Sequence, residues 1–298
     1  MSTHALLPDL IGNTVTPDTA RYAAILGLSP SRGARSPQLW NAAFAAMGAD
    51  ARMLPMDVAP DRLEAVVAAL RDDPRFIGGA VAMPHKQAIL PFLDRVEPEA
   101  AAIGAVNALY RDGAALVGAN TDGAGALARI EELMDGRLGS ARVLLIGTGG
   151  AGCAVAAFLA GRVAALALCN RTAARAQALA ATLEGAVRVV PWPPTTADLA
   201  QTDVLVNGSA VGFRDGPPGT PLGPDAAALL AAMPADALVY DVIYQPEETE
   251  LLAAARARGL RTANGLGMNL DQAVIAFAKA CPGAPDRATL RRIMAEAG

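Results

Sequence analysis

The sequence predicts an α/β fold, and three observations predict it. Short apolar runs alternate with alanine-rich helical stretches from residue 142 to residue 263, the pattern of a doubly wound parallel sheet covered on both faces. At 298 residues the chain is long enough for about two domains. It is 53% hydrophobic and 18% charged, which supplies a sizeable core and is too apolar for wholesale disorder.

The elements follow in order. Strands are predicted over 22–26, 53–56 and 78–82, with helical patterns at 37–47 and 60–70 between them. The stretches 106–110 and 114–117 flank Arg111-Asp112-Gly113, a hairpin signal. A boundary is expected near Asn120 to Gly123, where one sheet ends and a linking helix begins. The run 142–146 is a buried strand ending in glycines. A helix over 151–160 is stopped by Gly161, and a second over 173–183 ends near Gly185. Further strands are predicted at 163–168, 187–190, 203–206 and 238–242. A helix over 247–258 is closed by Gly259 before a short last strand at 260–263. Pro191-Trp192-Pro193-Pro194 and the Gly/Pro-rich stretch from Gly212 to Pro224 read as loops, the second long enough to be a mobile rim. No internal repeat is visible.

Composition excludes several classes of function. A net charge of −4 gives no support for a nucleic-acid surface. No apolar run reaches a membrane span. Residues 1–9 lack the charged start and long apolar stretch of a signal peptide. Cys153, Cys169 and Cys281 show no C-x-x-C spacing and read as reduced thiols of a cytoplasmic protein. The only histidines are His4 and His85, so no histidine-rich zinc site is expected and no metal is assigned.

Gly147, Gly149 and Gly152 satisfy G-x-G-x-x-G between a predicted strand and a predicted helix. In that context the first glycine permits a tight turn. The second lets backbone approach a dinucleotide pyrophosphate, and the third lets helix and strand pack closely. The helix start, with Gly150 and Ala151, offers free N–H groups and a positive dipole end to phosphate. The alternative is a tight turn in an ordinary α/β domain. The second strand ends in Asn170-Arg171-Thr172, with Arg175 a helical turn beyond. NAD binders usually carry an acidic residue there for the ribose 2′-hydroxyl. Two guanidiniums without a carboxylate fit a 2′-phosphate, hence NADP, against the reading of a solvated basic helix start. Pro84-His85-Lys86 follows a predicted strand, at the end where ligands of α/β folds gather. A lone lysine is ordinarily just solvated. Asp122, in Asn120-Thr121-Asp122-Gly123, supplies a carboxylate for an acid/base pair and an oxidoreductase reading.

Other motifs continue in order: Ser36-Pro37 followed by Asn41, Gly104-Ala105-Val106-Asn107, Tyr244-Gln245-Pro246, and Gly265-Leu266-Gly267-Met268 with Gln272. With them the chain resembles the shikimate dehydrogenase family over nearly its full length. The resemblance implies catalytic roles for Lys86 and Asp122, Asp122 holding the lysine and bonding a substrate hydroxyl. It implies substrate contacts from Ser36, Asn107, Thr121, Tyr244 and Gln272, and a nicotinamide lined by Val242, Gly265 and Met268. It implies a Rossmann-type doubly wound cofactor domain over 121–263. The split α/β substrate domain would comprise 1–120 completed by C-terminal helices over 264–298. The implied reaction, a step of aromatic amino acid biosynthesis, is reversible NADP-linked hydride transfer between shikimate or an analogue and its 3-dehydro ketone. The expected partner is that small molecule, with no nucleic acid or membrane and a homodimer left open. The alternative is a non-catalytic dinucleotide-binding regulatory protein, which would need neither Lys86 nor Asp122.

The chain departs from the family at the carboxylate-binding end of the substrate pocket. Ser-x-Ser-Pro is here Ala34-Arg35-Ser36-Pro37. Asn-Val-Thr-Val-Pro-His-Lys is here Ala80-Val81-Ala82-Met83-Pro84-His85-Lys86. Two hydroxyls and an amide are replaced by methyls, and each hydrogen bond lost to a charged group is worth about 1.5–3 kcal/mol. Arg32 and Arg35 are candidates to compensate, or they point to solvent. Asp271 either faces the pocket or is an exposed helix position.

Overall fold

The computed structural model describes residues 7–214 and 216–298. His4 and the first part of the stretch read for a leader lie outside the described residues. Two compact units divide the chain. One runs to Thr121 and resumes at Leu270–Gly298; the other spans Asp122–Asn269.

The first unit is built on a six-stranded mixed sheet. Its strands are β1 (Arg21–Gly27), β2 (Ala51–Asp57), β3 (Phe76–Val81), β4 (Arg95–Val96), β5 (Ala108–Asp112) and β6 (Ala115–Ala119), in the spatial order β2-β1-β3-β5-β6-β4. β1 pairs in parallel with β2 and β3, while β5 runs antiparallel to both β3 and β6. The two-residue β4 escapes a sequence reading because it is too short to show a period. One face packs Tyr22, Phe76, Leu63 and Leu70. The other packs Trp40 and Phe44 from the helix Ser36–Ala46 against Phe277, with the rings of Trp40 and Phe277 edge to face at 5.1 Å. Phe277 lies on the helix Leu266–Ala280, so the C-terminal segment completes this core.

The second unit holds six parallel strands: β7 (Arg142–Ile146), β8 (Ala165–Cys169), β9 (Val187–Val190), β10 (Val204–Asn207), β11 (Leu238–Asp241) and β12 (Arg261–Ala263). Their order is β12-β11-β10-β7-β8-β9. Successive residues of β7 feed opposite layers: Val143 and Leu145 pack on one face, Leu144 and Ile146 on the other. Both faces are buried, which is why the strand reads as a continuous apolar run. The strand order reverses between β7 and β10, and ligands of such sheets bind outside the strand ends at that switch point.

The division between units falls at 121/122 and 269/270, against the sequence expectation of 120/121 and 263/264. The second break lies inside the helix Leu266–Ala280. Its first turn carries Met268, packed with Leu145 and Tyr240, and its later turns carry Ala273, Val274 and Phe277, packed with Trp40. A continuous helix gives no break in period to mark where its packing partners change.

Candidate active site

In the second unit a cavity of about 330 Å³ opens at the ends of β7, β8, β9 and β10. Gly147, Gly149, Asn170, Arg171 and Arg175 all line it, so five residues assigned to a cofactor from sequence share one space. Gly152 does not line it but shapes it. A Cβ there would lie 1.9 Å from the Gly147 carbonyl oxygen, so only glycine lets the helix Gly150–Leu159 start this close to the loop. A Cβ on Gly149 or Gly150 would meet nothing within 4 Å, leaving the helix start open to an anion. The Asn170 side chain ties the loop down: its Oδ1 accepts from the Thr148 backbone N–H at 3.2 Å, and its Nδ2 donates to the Thr172 carbonyl at 2.9 Å. The Thr148 hydroxyl is buried beside the loop without a partner. These features fit a pyrophosphate.

Arg171 and Arg175 flank the start of one helix. The helix is Ala173–Ala180 with Thr172 as its N-cap, so Arg171 stands before it and Arg175 in its first turn. Both guanidiniums are on exposed residues lining the cavity, and no carboxylate lines it among the described residues. That donor set fits a 2′-phosphate better than a free ribose.

Sequence reasoning missed Trp192, Ser209, Ala210, Val211, Pro217 and Pro221, which also line the cavity. The available signal is position, because these residues follow the ends of β9 and β10 on the ligand edge of the sheet. A buried network sets the 209–211 turn. Asn207 Oδ1 accepts from the Ser209 N–H at 3.0 Å and the Ser209 hydroxyl at 2.7 Å, while Asn207 Nδ2 donates to Asp241 Oδ1 at 3.0 Å. Asp241 also accepts from the Ile243 N–H and the Thr249 hydroxyl. Burial pushes the Asp241 carboxyl above the usual carboxylate range, and these hydrogen bonds pull the other way. Val242 follows β11, and its carbonyl would lie 2.0 Å from a Cβ on Gly265; Met268 packs in the core. Gly150, Ala151, Thr172, Val242, Gly265 and Met268 are not among the residues lining this cavity. Tyr244 is half-buried just after β11.

In the first unit Lys86 is half-buried on the short helix His85–Ala88, just beyond β3. Its carbonyl accepts from the Val106 N–H at 2.8 Å, which joins this turn to the strand leading into β5. His85 is only 1% exposed, with Nε2 2.8 Å from the Val58 carbonyl. A carbonyl only accepts, so Nε2 carries the hydrogen of this bond, and Nδ1 is buried without a partner. His85 is therefore an anchor for the lysine turn.

Asn107, Thr121 and Gln272 form a buried polar cluster. The Thr121 N–H donates to Asn107 Oδ1 at 2.6 Å, and Asn107 Nδ2 lies 3.3 Å from Gln272 Oε1. Thr121 Oγ1 also lies 3.3 Å from Gln272 Oε1. Three residues assigned to substrate thus meet in space from distant parts of the chain. Asp122 lies in the first turn of the helix Thr121–Met134. Gly123 beside it is buried, and a Cβ there would lie 2.5 Å from the Ala154 carbonyl, so glycine lets this helix pack on Gly150–Leu159.

Ser36 is half-buried at the start of its helix. Ala34, Ala80 and Ala82 all pack against the cluster that contains Trp40 and Phe277, an apolar wall where the family shows polar groups. Arg32 is exposed, and the Arg35 guanidinium reaches the C-terminal end of the last helix, 2.8 Å from where a Gly298 Cβ would be. Asp271 is not an exposed helix position. It is buried and paired with Arg291 at 2.9 Å on the helix Arg287–Ala297.

The family description "Shikimate dehydrogenase substrate binding domain" matches residues 28–109, and "Shikimate / quinate 5-dehydrogenase" matches residues 129–212. The NADP(+)-dependent shikimate dehydrogenase of Paramagnetospirillum magneticum is 41% identical over 266 residues, covering 87% of this chain and 91% of that protein. The chain belongs to the shikimate dehydrogenase family. Among solved family structures, shikimate 5-dehydrogenase from Thermus thermophilus, in complex with NADP(H) and shikimate, superposes with a TM-score of 0.77 at 31% identity. The match covers 93% of this chain and 100% of that one. Quinate dehydrogenase from Corynebacterium glutamicum, in complex with NAD, gives 0.78 at 30% identity over 93% and 99% of the two chains.

Proposed function

We propose that the chain is an NADP-linked dehydrogenase that interconverts a cyclic hydroxy acid, shikimate or an analogue, and its 3-dehydro ketone. The observation that carries this reading is the cavity in which an open glycine turn and two arginines meet without a carboxylate. The relatives' dependence on NADP supports it.

When bound, the nicotinamide group supplies or accepts the hydride. Lys86 Nζ is assigned the proton: it donates to the carbonyl oxygen in reduction and accepts from the hydroxyl in oxidation. Asp122 is assigned the carboxylate that orients the reacting hydroxyl. Asn107, Thr121 and Gln272 fix one another's donors and acceptors, which suits them to a polyhydroxylated ring. Ser36 and Tyr244 are assigned further substrate contacts. Val242, Gly265 and Met268 are assigned to the nicotinamide end.

The apolar wall at Ala34, Ala80 and Ala82 supports a weak grip on the substrate carboxylate. Three free cysteines support a reducing compartment, the cytoplasm. No helix of the described residues is long and apolar enough to cross a membrane. A homodimer is tested by light scattering on the eluted protein.

The function is tested by NADP-coupled oxidation of shikimate, quinate and related cyclic hydroxy acids. Turnover with NADP preferred over NAD is expected, with a high KM for shikimate. Restoring Ser, Asn and Thr through A34S, A80N and A82T should lower that KM; melts run in parallel control for the burial of Ala80. Absence of NADP-linked turnover on every such acid overturns the assignment.

A further inference from the structure

The pyrophosphate and the 2′-phosphate of NADP hang on one ribose, at its 5′ and 2′ positions, and the same ring carries adenine at 1′. A cavity that offers an open helix start to one anion and Arg171 and Arg175 to the other must also house the base. The remaining lining is largely apolar and includes Trp192, Pro217 and Pro221.

Trp192 is one of two tryptophans, and its environment is unlike that of Trp40, which is fully buried in the first unit. Trp192 is 41% exposed, two residues beyond β9 and flanked by Pro191 and Pro193. The Cys169 thiol reaches the Pro191 carbonyl at 3.2 Å, which fixes the start of this turn against the end of β8, just before Arg171. The indole Nε1–H donates to the Pro221 carbonyl at 2.9 Å. The polar edge of the ring is thus satisfied by protein, and the half-exposed residue lines the cavity.

We propose that Trp192 is the base-binding residue of this site, stacking on adenine while its Nε1–H stays bonded to the Pro221 carbonyl. The proposal rests on the reading of the cavity as a dinucleotide site. A flat ring stacks on a purine and is already oriented by its own hydrogen bond, so little side-chain entropy is lost on binding.

The test uses 2′,5′-ADP, ADP and nicotinamide mononucleotide, with dissociation constants from calorimetry and emission from intrinsic fluorescence. In the wild-type protein 2′,5′-ADP should change the tryptophan emission. W192F, which leaves only Trp40 to report, should lose that change while binding within about threefold of wild type, because the stacking face remains. W192A should weaken 2′,5′-ADP by about ten- to a hundredfold, the range for removing a base-stacking aromatic, and leave nicotinamide mononucleotide unaffected. W192L, apolar but not flat, replaces W192A if that variant lowers the melting temperature.

Wild-type affinity for 2′,5′-ADP in a folded W192A or W192L overturns the proposal, as does a full emission change retained in W192F. If the wild type binds neither 2′,5′-ADP nor ADP, the dinucleotide reading falls and the proposal with it. If it binds both equally and W192A weakens both, the preference for a 2′-phosphate falls and the assignment of Trp192 stands.

Discussion

Adding one methyl group at Gly149 or at Gly152 separates two demands that the glycine motif places side by side. Gly149 has φ −82° and ψ −171°, backbone that alanine adopts freely, and its Cβ would touch nothing within 4 Å. Gly149→Ala should therefore leave the fold intact. Reduced freedom of the unfolded chain stabilises by about 0.4–1 kcal/mol, and replacing a glycine N-cap by alanine costs about the same. The melting temperature should move by less than about 3 °C. Gly149 lines the cavity, however, so the methyl occupies space that a pyrophosphate needs against the helix start. A hydrogen bond to a charged oxygen contributes about 1.5–3 kcal/mol, so losing one raises the Kd for NADPH about 10- to 150-fold. Gly152→Ala behaves differently. Its Cβ would lie 1.9 Å from the Gly147 carbonyl oxygen and 3.3 Å from that of Gly208, so loop and helix must part by more than 1 Å. Overpacking of this kind costs about 1–3 kcal/mol, and this variant should lose both binding and several degrees of melting temperature. Calorimetric titration with NADPH, alongside thermal melts, reads both quantities. NADPH binding by Gly149→Ala within twofold of wild type would refute the placement of the pyrophosphate on this turn.

Lys86→Ala should lower kcat by more than tenfold, about 1.4 kcal/mol of barrier, while NADPH binds normally; a variant that keeps more than a tenth of the rate removes Lys86 from the proton role. Arg171→Ala and Arg175→Ala should each raise the Kd for NADPH by about tenfold or more and leave NADH unchanged, since a charge-assisted bond to phosphate is worth about 1.5–3 kcal/mol. Equal losses for both cofactors would place the arginines elsewhere. Asp203 accepts from the Arg142 side chain at 2.9 and 3.0 Å and from its backbone N–H at 2.8 Å. Hydrogen bonding to the Arg142 side chain holds the Asp203 carboxyl below its ordinary 3.8, against the opposing effect of burial. A depressed folded value means the stabilisation is complete above about 3.9 and fades as pH falls through the folded value. Denaturant midpoints taken from pH 6 downward should show Asp203→Asn closing its gap to wild type in acid. The gap is at most about 1 kcal/mol because the pair is solvent-screened, and a gap that widens in acid contradicts the pairing.

Much of the second unit was legible in the sequence because its signals are local. Apolar runs of strand length, glycines at a strand end and glycines that stop helices are each written within a few residues. The same is true of the missing carboxylate after β8. Lys86 and Asp122 read as an acid/base pair that the family resemblance strengthens, Asn107 and Gln272 rest on the resemblance alone, and nothing in their spacing says what they touch. Tertiary structure decided that Asn107, Thr121 and Gln272 share one hydrogen-bonded cluster, because the helix carrying Gln272 packs on a sheet formed far earlier in the chain. It turned Asp271 toward Arg291, a choice set by which face of one helix meets another. It also brought Trp192, in a proline-rich loop with no periodic signal, into the cavity beside Arg171. A parallel sheet gathers the ends of β7, β8, β9 and β10 on one edge whatever their distance in sequence, so residues that no local pattern connects become neighbours there.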